Sequence, residues 1–450
     1  MNIKHLVNQV KALCAITKIA CCILLVMVSL PTSVHAVLPC IDAPKKAFAD
    51  QNTVVVDSVA NLQAAVANLS NNTTVLIKPG NYLLTKTLYI TKPGTIIRSQ
   101  TGRCDDVTLI GPGMENANYG EVASGIWINA NNVTVANLTI RDVYFHPIEL
   151  NSGPDGVEIY NVRLLDAGEQ FIKSSSAGGF GQGGDAGKVE YSIMEYTSQP
   201  PLTDHGGGTG YTNGVDVHGG DGWEIRNNIF KNFHTPDNAD HLWSPAILMW
   251  NGSRNTLVEN NTFINVDRAI SFGLYNRTND HFGGVIRNNM ITITPNLYSA
   301  NRTQQSDAPI ILWSSPNSKV LHNTVLTNGN TLKSVELRFG SSNVEVANNL
   351  VDKPIVYREG LPFTSSNNAS NATASYFVNP SQGDLHIKAS AANVIAKGPL
   401  LVDAMRDFDG QARPANSVTL GADQFGGPAN PGVPSATSIV AVLAFLLDED

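Results

Sequence analysis

A short phrase, apolar-x-apolar-x-Asn-Asn-apolar, keeps returning along this chain, and it constrains the fold more than any other feature. It is clearest in Trp223-Glu224-Ile225-Arg226-Asn227-Asn228-Ile229-Phe230. Close copies are Thr256-Leu257-Val258-Glu259-Asn260-Asn261-Thr262-Phe263, Val285-Ile286-Arg287-Asn288-Asn289-Met290-Ile291 and Val344-Glu345-Val346-Ala347-Asn348-Asn349-Leu350-Val351. Weaker ones surround Asn137, Asn161 and Asn323, and Ser192 takes the equivalent place in Val189-Glu190-Tyr191-Ser192-Ile193. The corners at 137, 161, 192, 228, 261, 289, 323 and 349 are separated by 24, 31, 36, 33, 28, 34 and 26 residues. Short alternating strands at such irregular steps, without helical periodicity, predict a solenoid of β-coils with loops of unequal length. A single coil cannot bury its apolar face, and stacking makes a continuous core. Asn at each corner fits twice: it tolerates left-handed backbone angles, and its amide can bond to the Asn of the next coil.

On these phrases the chain resembles the right-handed parallel β-helix superfamily, the pectate-lyase-like proteins, over about residues 53 to 425. The resemblance implies an all-β, right-handed parallel β-helix with an N-terminal capping helix, and a polysaccharide groove walled by loops. The helix is expected over 57–69, where Asp57 or Ser58 can cap it and Val59, Leu62, Val66 and Leu69 form one stripe. The Ile77-Lys78-Pro79-Gly80-Asn81-Tyr82 turn that follows looks like the opening of bacterial β-helix enzymes. Gly383–Ile387 through Asp407-Phe408-Asp409-Gly410-Gln411-Ala412-Arg413 to Asp423 looks like their closing segment.

The expected organisation is a signal peptide over 1–36, a cap and first coils over 37–124, and coils carrying the groove over 125–360. C-terminal coils and cap follow over 361–427, then a Pro/Gly linker and short apolar tail over 428–450. Lys4, Lys11 and Lys18 precede the apolar run Ile19–Leu30, and Val34-His35-Ala36 suits a cleavage site, which predicts a secreted, periplasmic or cell-surface bacterial protein. A retained membrane anchor is the alternative. Cleavage after Ala36 would leave Cys40 and Cys104 of the five cysteines, either as a disulfide or as two free thiols. The formal net charge of −8 argues against nucleic acid, and no Gly-rich run has the strand-helix context of a nucleotide loop. With both ends capped, a monomer is expected.

Aligning the strand after each corner gives an outward column of Glu149, Lys173, His218, Trp250, Gly273, Trp313 and Arg338. Beside it runs a second column of Pro147, Phe171, Asp216, Leu248, Ser271, Ile311 and Glu336. Charged pairs and two tryptophans on one outward face suit a sugar groove better than a solvated surface. The insertions 197–213, 234–245 and 275–284 are expected to wall it. An acidic polysaccharide is the expected partner, and a lyase acting on it needs a base and a charge to neutralise the uronate carboxylate. Lys173 or His218 is the candidate base, and Arg268 or Arg338 the carboxylate clamp. Glu149, Trp250, Trp313 and Glu336 are candidate substrate contacts. Asp216, Asp221 and Glu169 are candidate oxygen ligands for calcium.

Each assignment has a plainer reading. These readings make Lys173 a partner of Glu149, Arg338 a partner of Glu336, Arg268 a structural residue after Asp267, and His146 an inward-facing core histidine. Glycoside hydrolysis by Asp216 with Glu169 or Glu149, uronate C5-epimerisation, and carbohydrate binding without catalysis stay open as alternatives.

Overall fold

The computed structural model describes residues 37–426 other than Ser152. The signal peptide expected over 1–36 and the tail expected over 428–450 lie outside them. Three long parallel sheets of twelve, ten and ten strands run the length of the fold. Along most of each sheet, a strand pairs with the third strand before it and the third after it, so the chain visits all three sheets once per coil. This is a right-handed parallel β-helix. The apolar positions seal its interior: Ile148, Ile172, Val215, Ile247, Ile270, Ile310 and Val335 stand in register on successive coils with no exposed surface.

Helix α1 (Val59–Ala67) begins where expected. The Ser58 side chain accepts the Asn61 N–H at 3.2 Å, and Leu62 and Val66 are buried in the main core. Cys40 and Cys104 form a disulfide. It tethers an arm over residues 38–50 whose Leu38 N–H reaches Glu195 Oε2 at 2.9 Å and whose Lys46 pairs with Glu158. At the other end, residues 377–422 build a smaller second core around Phe377, Leu385, Val394, Phe408 and Leu420.

The Asn-Asn corners divide their two tasks between the two residues. The first Asn takes the left-handed backbone, with φ of 58° at Asn227, 56° at Asn260, 53° at Asn288 and 57° at Asn348. The second is buried and forms the ladder. From Asn228 through Asn261, Asn289, Asn323 and Asn349 to Asn368, each Nδ2 donates to the next Oδ1 at 2.9–3.0 Å. The same Oδ1 accepts the preceding Asn's backbone N–H at 2.8–3.1 Å. Asn137 and Asn161, counted above as ladder corners, belong instead to the left-handed column, with φ of 54° and 50°. Their side chains bond to each other, Asn161 Nδ2 donating to Asn137 Oδ1 at 2.9 Å. The weak copies have one Asn, and one Asn cannot occupy both columns.

Asn261→Ala removes both an acceptor and a donor inside this ladder and strands the Asn228 N–H. The expected loss is about 2–4 kcal/mol of unfolding free energy, from one or two buried polar groups left unpaired. Chemical denaturation of the variant checks it, with Asn371→Ala, at an exposed loop position, as the control.

Candidate functional site

Ten strands make the sheet that carries the site. They are β1 (Lys86–Ile90), β2 (Glu121–Ile128), β3 (Ile148–Leu150), β4 (Ile172–Ser174), β5 (Val215–His218), β6 (Pro245–Trp250), β7 (Arg268–Phe272), β8 (Ile310–Trp313), β9 (Val335–Arg338) and β10 (Ile355–Tyr357). From β5 to β9 the outward columns are as expected: Asp216, Leu248, Ser271, Ile311 and Glu336 in one, and His218 and Trp250, then Trp313 and Arg338, in the other. Between β4 and β5 the expected alignment is off by two residues. Lys173 stands beside Asp216, not His218, and Ile172 beside Val215. A two-residue slip keeps every side chain on its face, so alternation alone cannot detect it, unlike a one-residue slip. Phe171, placed outward above, is fully buried against Tyr196 and Phe233 at 5.0 and 5.2 Å.

The corrected register sets Lys173 between Glu149 on β3 and Asp216 on β5. Asp216 is sealed from solvent. Its carboxylate pairs with the Lys173 ammonium, accepts Trp250 Nε1–H at 2.8 Å, and lies 3.6 Å from His218 Nε2. Burial alone would raise the Asp216 carboxyl, but Lys173 and His218 together hold it well below the usual carboxylate range. Burial would lower the Lys173 ammonium, but the charge and hydrogen bond of Asp216 together with Tyr211 and Glu169 outweigh that and move it up. Lys173 Nζ also lies 2.9 Å from His218 Nε2. The ammonium can only donate, so Nε2 carries the lone pair and the ring proton sits on Nδ1.

Glu169 and Glu149 complete this centre. Burial pushes the Glu169 carboxyl up to about 7, with Lys173 opposing and Glu149 adding to the shift. Its Oε2 is 3.6 Å from His146 Nε2. His146 is a buried ring bonded to the Gln170 carbonyl at 3.0 Å and driven down to about 4 by burial, which fits its reading as a core histidine. Glu149 accepts the Ser124 hydroxyl at 2.8 Å.

Two of the expected walls are one structure. Thr209 N–H and Oγ1–H both donate to Asp240 at 2.9 Å, and His241 Nε2 meets the Gly207 carbonyl at 2.7 Å. This double loop carries Tyr211, whose hydroxyl is raised by burial and which lies in the field of Lys173, Asp216 and Glu169. Tyr211 was missed in the sequence, where only its place in a Gly-rich loop just before β5 could have marked it. Opposite, Arg277 lies over Trp250, Tyr275 and Phe180, at 5.6, 5.4 and 5.2 Å from the ring centres, and pairs with Asp280. His281, expected in this wall, is instead buried and stacked on Phe272 at 4.0 Å.

The remaining candidates gather further along the sheet. Trp313 Nε1–H donates to Glu336 Oε1 at 3.1 Å, and Glu336, fully buried, also pairs with Lys333. Arg268 pairs with Asp307 and Arg338 with Glu359, and both guanidinium groups pack on Trp313, at 5.1 and 5.0 Å. The plainer reading of Arg338 as a partner of Glu336 is therefore replaced: Lys333 holds Glu336, and Arg338 holds Glu359.

The three carboxylates proposed for calcium do not converge. Asp216 is committed to Lys173 and Trp250, while Asp221 pairs with Arg254 at 3.0 Å and accepts from Asn255 at 2.8 Å. Among the described residues the one group of three with metal-ligand geometry is His386, Asp409 and Asp423, in the C-terminal cap. There His386 Nδ1 meets Asp384 at 2.6 Å and Nε2 meets Asp409 at 3.0 Å. Burial opposes its charge, but these carboxylates raise the ring to about 11. A ring that holds both protons this tightly is an imidazolium clamp, not a ligand, and calcium takes oxygens.

No protein-family model and no curated protein matches the chain. Solved structures similar to it include an alginate lyase from Paenibacillus sp. str. FPU-7, 14% identical, covering 70% of this chain and 94% of that one at a TM-score of 0.43. Pectate lyase Pel9A is 12% identical, covering 85% and 99% at a TM-score of 0.47. The catalytic unit of a GH87 α-1,3-glucanase from Streptomyces thermodiastaticus strain HF3-3 is 15% identical, covering 73% and 70% at 0.44. The fold assignment rests on the strand register itself, and the function has to be argued from the site.

Asp216→Asn leaves Lys173 without its counter-charge in a nearly closed site, and the expected loss is about 3–5 kcal/mol at neutral pH. The sign with pH is fixed by the two directions. Asp216, lowered in the fold, contributes above its unfolded pKa of about 4 and loses that contribution as pH falls through its folded value. Lys173, raised, contributes below about 10.4 and loses it as pH rises through its folded value. Unfolding midpoints measured across pH should therefore show the variant's deficit at neutral pH and its shrinkage in acid.

Proposed function

We propose that this protein is an exported polysaccharide lyase that cleaves a uronate-containing glycan by β-elimination at Lys173, His218 and Glu169. The observation that carries this is the Lys173 ammonium, fixed as a cation by a sealed carboxylate and 2.9 Å from the His218 Nε2. Elimination needs such a pair: a permanent positive charge for the uronate carboxylate, whose neutralisation acidifies the neighbouring C5–H, and a base within reach. Of the two candidate bases, His218 is the better one, because Asp216 keeps Lys173 protonated. When the uronate carboxylate binds Lys173, the His218 Nε2 lone pair is released and takes the C5 proton. The electron pair left on carbon forms the C4–C5 double bond, and the C4–O bond breaks. The departing oxygen takes a proton from Glu169, whose carboxyl at about 7 is protonated in mildly acidic and neutral solution. Arg277 and Tyr211 border the sugar on either side. No step is routed through calcium, since the three candidate ligands stand apart.

A raised carboxyl with a second acidic side chain close by also favours a second reading, hydrolysis with Glu169 as acid and Glu149 as base or nucleophile. Asp216 cannot take part in that, because it is sealed behind Lys173 and Trp250.

A panel of acidic and neutral polysaccharides, with calcium or with a chelator, separates the two. Ultraviolet absorbance of an unsaturated uronate is expected on an acidic glycan, falling by about 10²-fold or more in His218→Ala and Lys173→Met. The rate should decline above about pH 7 as Glu169 loses its proton, and Glu169→Gln should remove that limb together with most of the activity. New reducing ends without unsaturation would replace elimination by hydrolysis.

A further inference from the structure

The groove contains the same device twice. Near one end, a sealed carboxylate (Asp216) holds a lysine (Lys173) and a tryptophan N–H (Trp250). Four coils away, a sealed carboxylate (Glu336) holds a lysine (Lys333) and a tryptophan N–H (Trp313). The two differ in what surrounds the tryptophan. Trp250 has His218 at 4.4 Å and the partly exposed Arg277 beside it. Trp313 lies between two arginines on neighbouring coils, Arg268 from β7 and Arg338 from β9. Arg358, half-exposed, adds a further cation 3.7 Å from Glu336.

Two observations set this second group apart from a set of closed ion pairs. Arg268 is 5% exposed and spends one guanidinium edge on Asp307, yet its Nε has no partner. A buried unpaired N–H of a charged group costs about 1–3 kcal/mol or more, so its retention calls for a use. The charge balance also differs. Arg268, Arg338, Arg358 and Lys333 face Asp307, Glu336 and Glu359, leaving the group net positive. Around Lys173 the three acidic side chains of Glu149, Asp216 and Asp280 outnumber the two cations, Lys173 and Arg277. Between the two devices Gly273 stands where the tryptophan column would continue. Its φ is +78°, and a Cβ there would lie 1.8 Å from the Trp313 carbonyl oxygen, so the column is open at that coil.

We propose that Arg268 and Arg338, mounted on either side of Trp313, form a distal subsite for a sugar carboxylate, so that the groove binds a polyuronate running along the helix axis. This rests on the groove's being the glycan site. From the β4 coil to the β7 and β9 coils is three to five strand spacings, about 14 to 24 Å. A sugar unit in an extended chain advances by about one such spacing, so a ligand must be about four to six units long to reach both ends. Short uronates occupy one end only, and neutral glycans lack the group the distal end holds.

The test is binding, measured by calorimetry on the full chain carrying His218→Ala, which cannot turn substrate over under the proposed chemistry. The ligands are uronate oligomers from dimer to octamer and a neutral glucan oligomer as control. Affinity should rise by about tenfold or more once the oligomer spans both devices, and the glucan should bind weakly at every length. Adding Arg338→Gln should erase the advantage of long over short uronates, and Arg338→Lys, which keeps the charge without the planar fork, should restore part of it. Thermal unfolding of each variant shows that it is folded. Affinity that is flat with length, equal for glucan, or unchanged by Arg338→Gln in the folded variant overturns the proposal. The wild-type assay for unsaturated product fails or succeeds separately: length-dependent uronate binding without elimination would leave the distal subsite standing and remove the lyase chemistry.

Discussion

Everything in this molecule depends on coil-to-coil register. Within the stack of a parallel β-helix each coil touches little beyond its neighbours, so a slipped strand is corrected mainly by the coils on either side of it. Apolar stacking alone does not fix the register, since a column of Ile and Val accepts a two-residue slip without changing which faces are buried. The Asn ladder does fix it. A side chain that must give its Nδ2 to one coil and take two donors from another has one position per coil where all three bonds are made. The left-handed Asn before it turns the chain sharply enough to keep the next strand short. The ladder runs from Asn228 to Asn368, and the site sheet beside it is in simple register through that whole span.

That register makes chemistry on an otherwise plain surface. Outward residues on successive coils are about 4.8 Å apart, close enough for Lys173 to meet a carboxylate one strand away and an imidazole on that same strand. The important member is the one that no ligand can touch. Asp216 is fully buried, and without a partner its charge there would be prohibitive. With Lys173 and the Trp250 N–H it becomes the fixed anchor of the centre, deciding that the lysine is an ammonium and where the indole points. Lysine held this way is a poor base and a good electrostatic partner, and the proposal of His218 as the base rests on that.

Much of this was legible in the sequence, and the misses have definite causes. The repeat gave the fold class, the helix and its Ser58 cap, and the face on which the charged residues lie. Asp216, His218 and Lys173 were singled out because charged pairs and two tryptophans on one outward face suit a sugar groove better than a solvated surface. The relation between Lys173 and Asp216 was misjudged, because the 197–213 insertion separates their strands and alternation has a period of two. His281 was assigned to a wall since it follows a polar loop, yet Phe272 from the neighbouring coil claims its ring. Tyr211 and Arg277 act from loops, and nothing local in a loop sequence says which groove residue it will lean on. The separation of Asp221 from Asp216 follows from Gly219, whose φ of 72° turns the chain out of the site sheet between them.

The C-terminal cap shows the same physical device in a purely structural setting, and the contrast helps to identify the site. His386 is a buried cation held by Asp384 and Asp409, much as Lys173 is held by Asp216. What differs is completeness. Both ring nitrogens of His386 are taken by carboxylates, and its strand is packed into the second core, so the group has nothing left to offer a ligand. Lys173 is pinned on one side by a carboxylate and on the other by an imidazole that accepts but does not neutralise it. Tyr211 of the double loop lies in its field, and Arg277 packs over Trp250, the other partner of Asp216. A buried ion pair that satisfies itself is cement, whereas one that leaves its cation half-neutralised at the floor of a groove is poised to receive an anion.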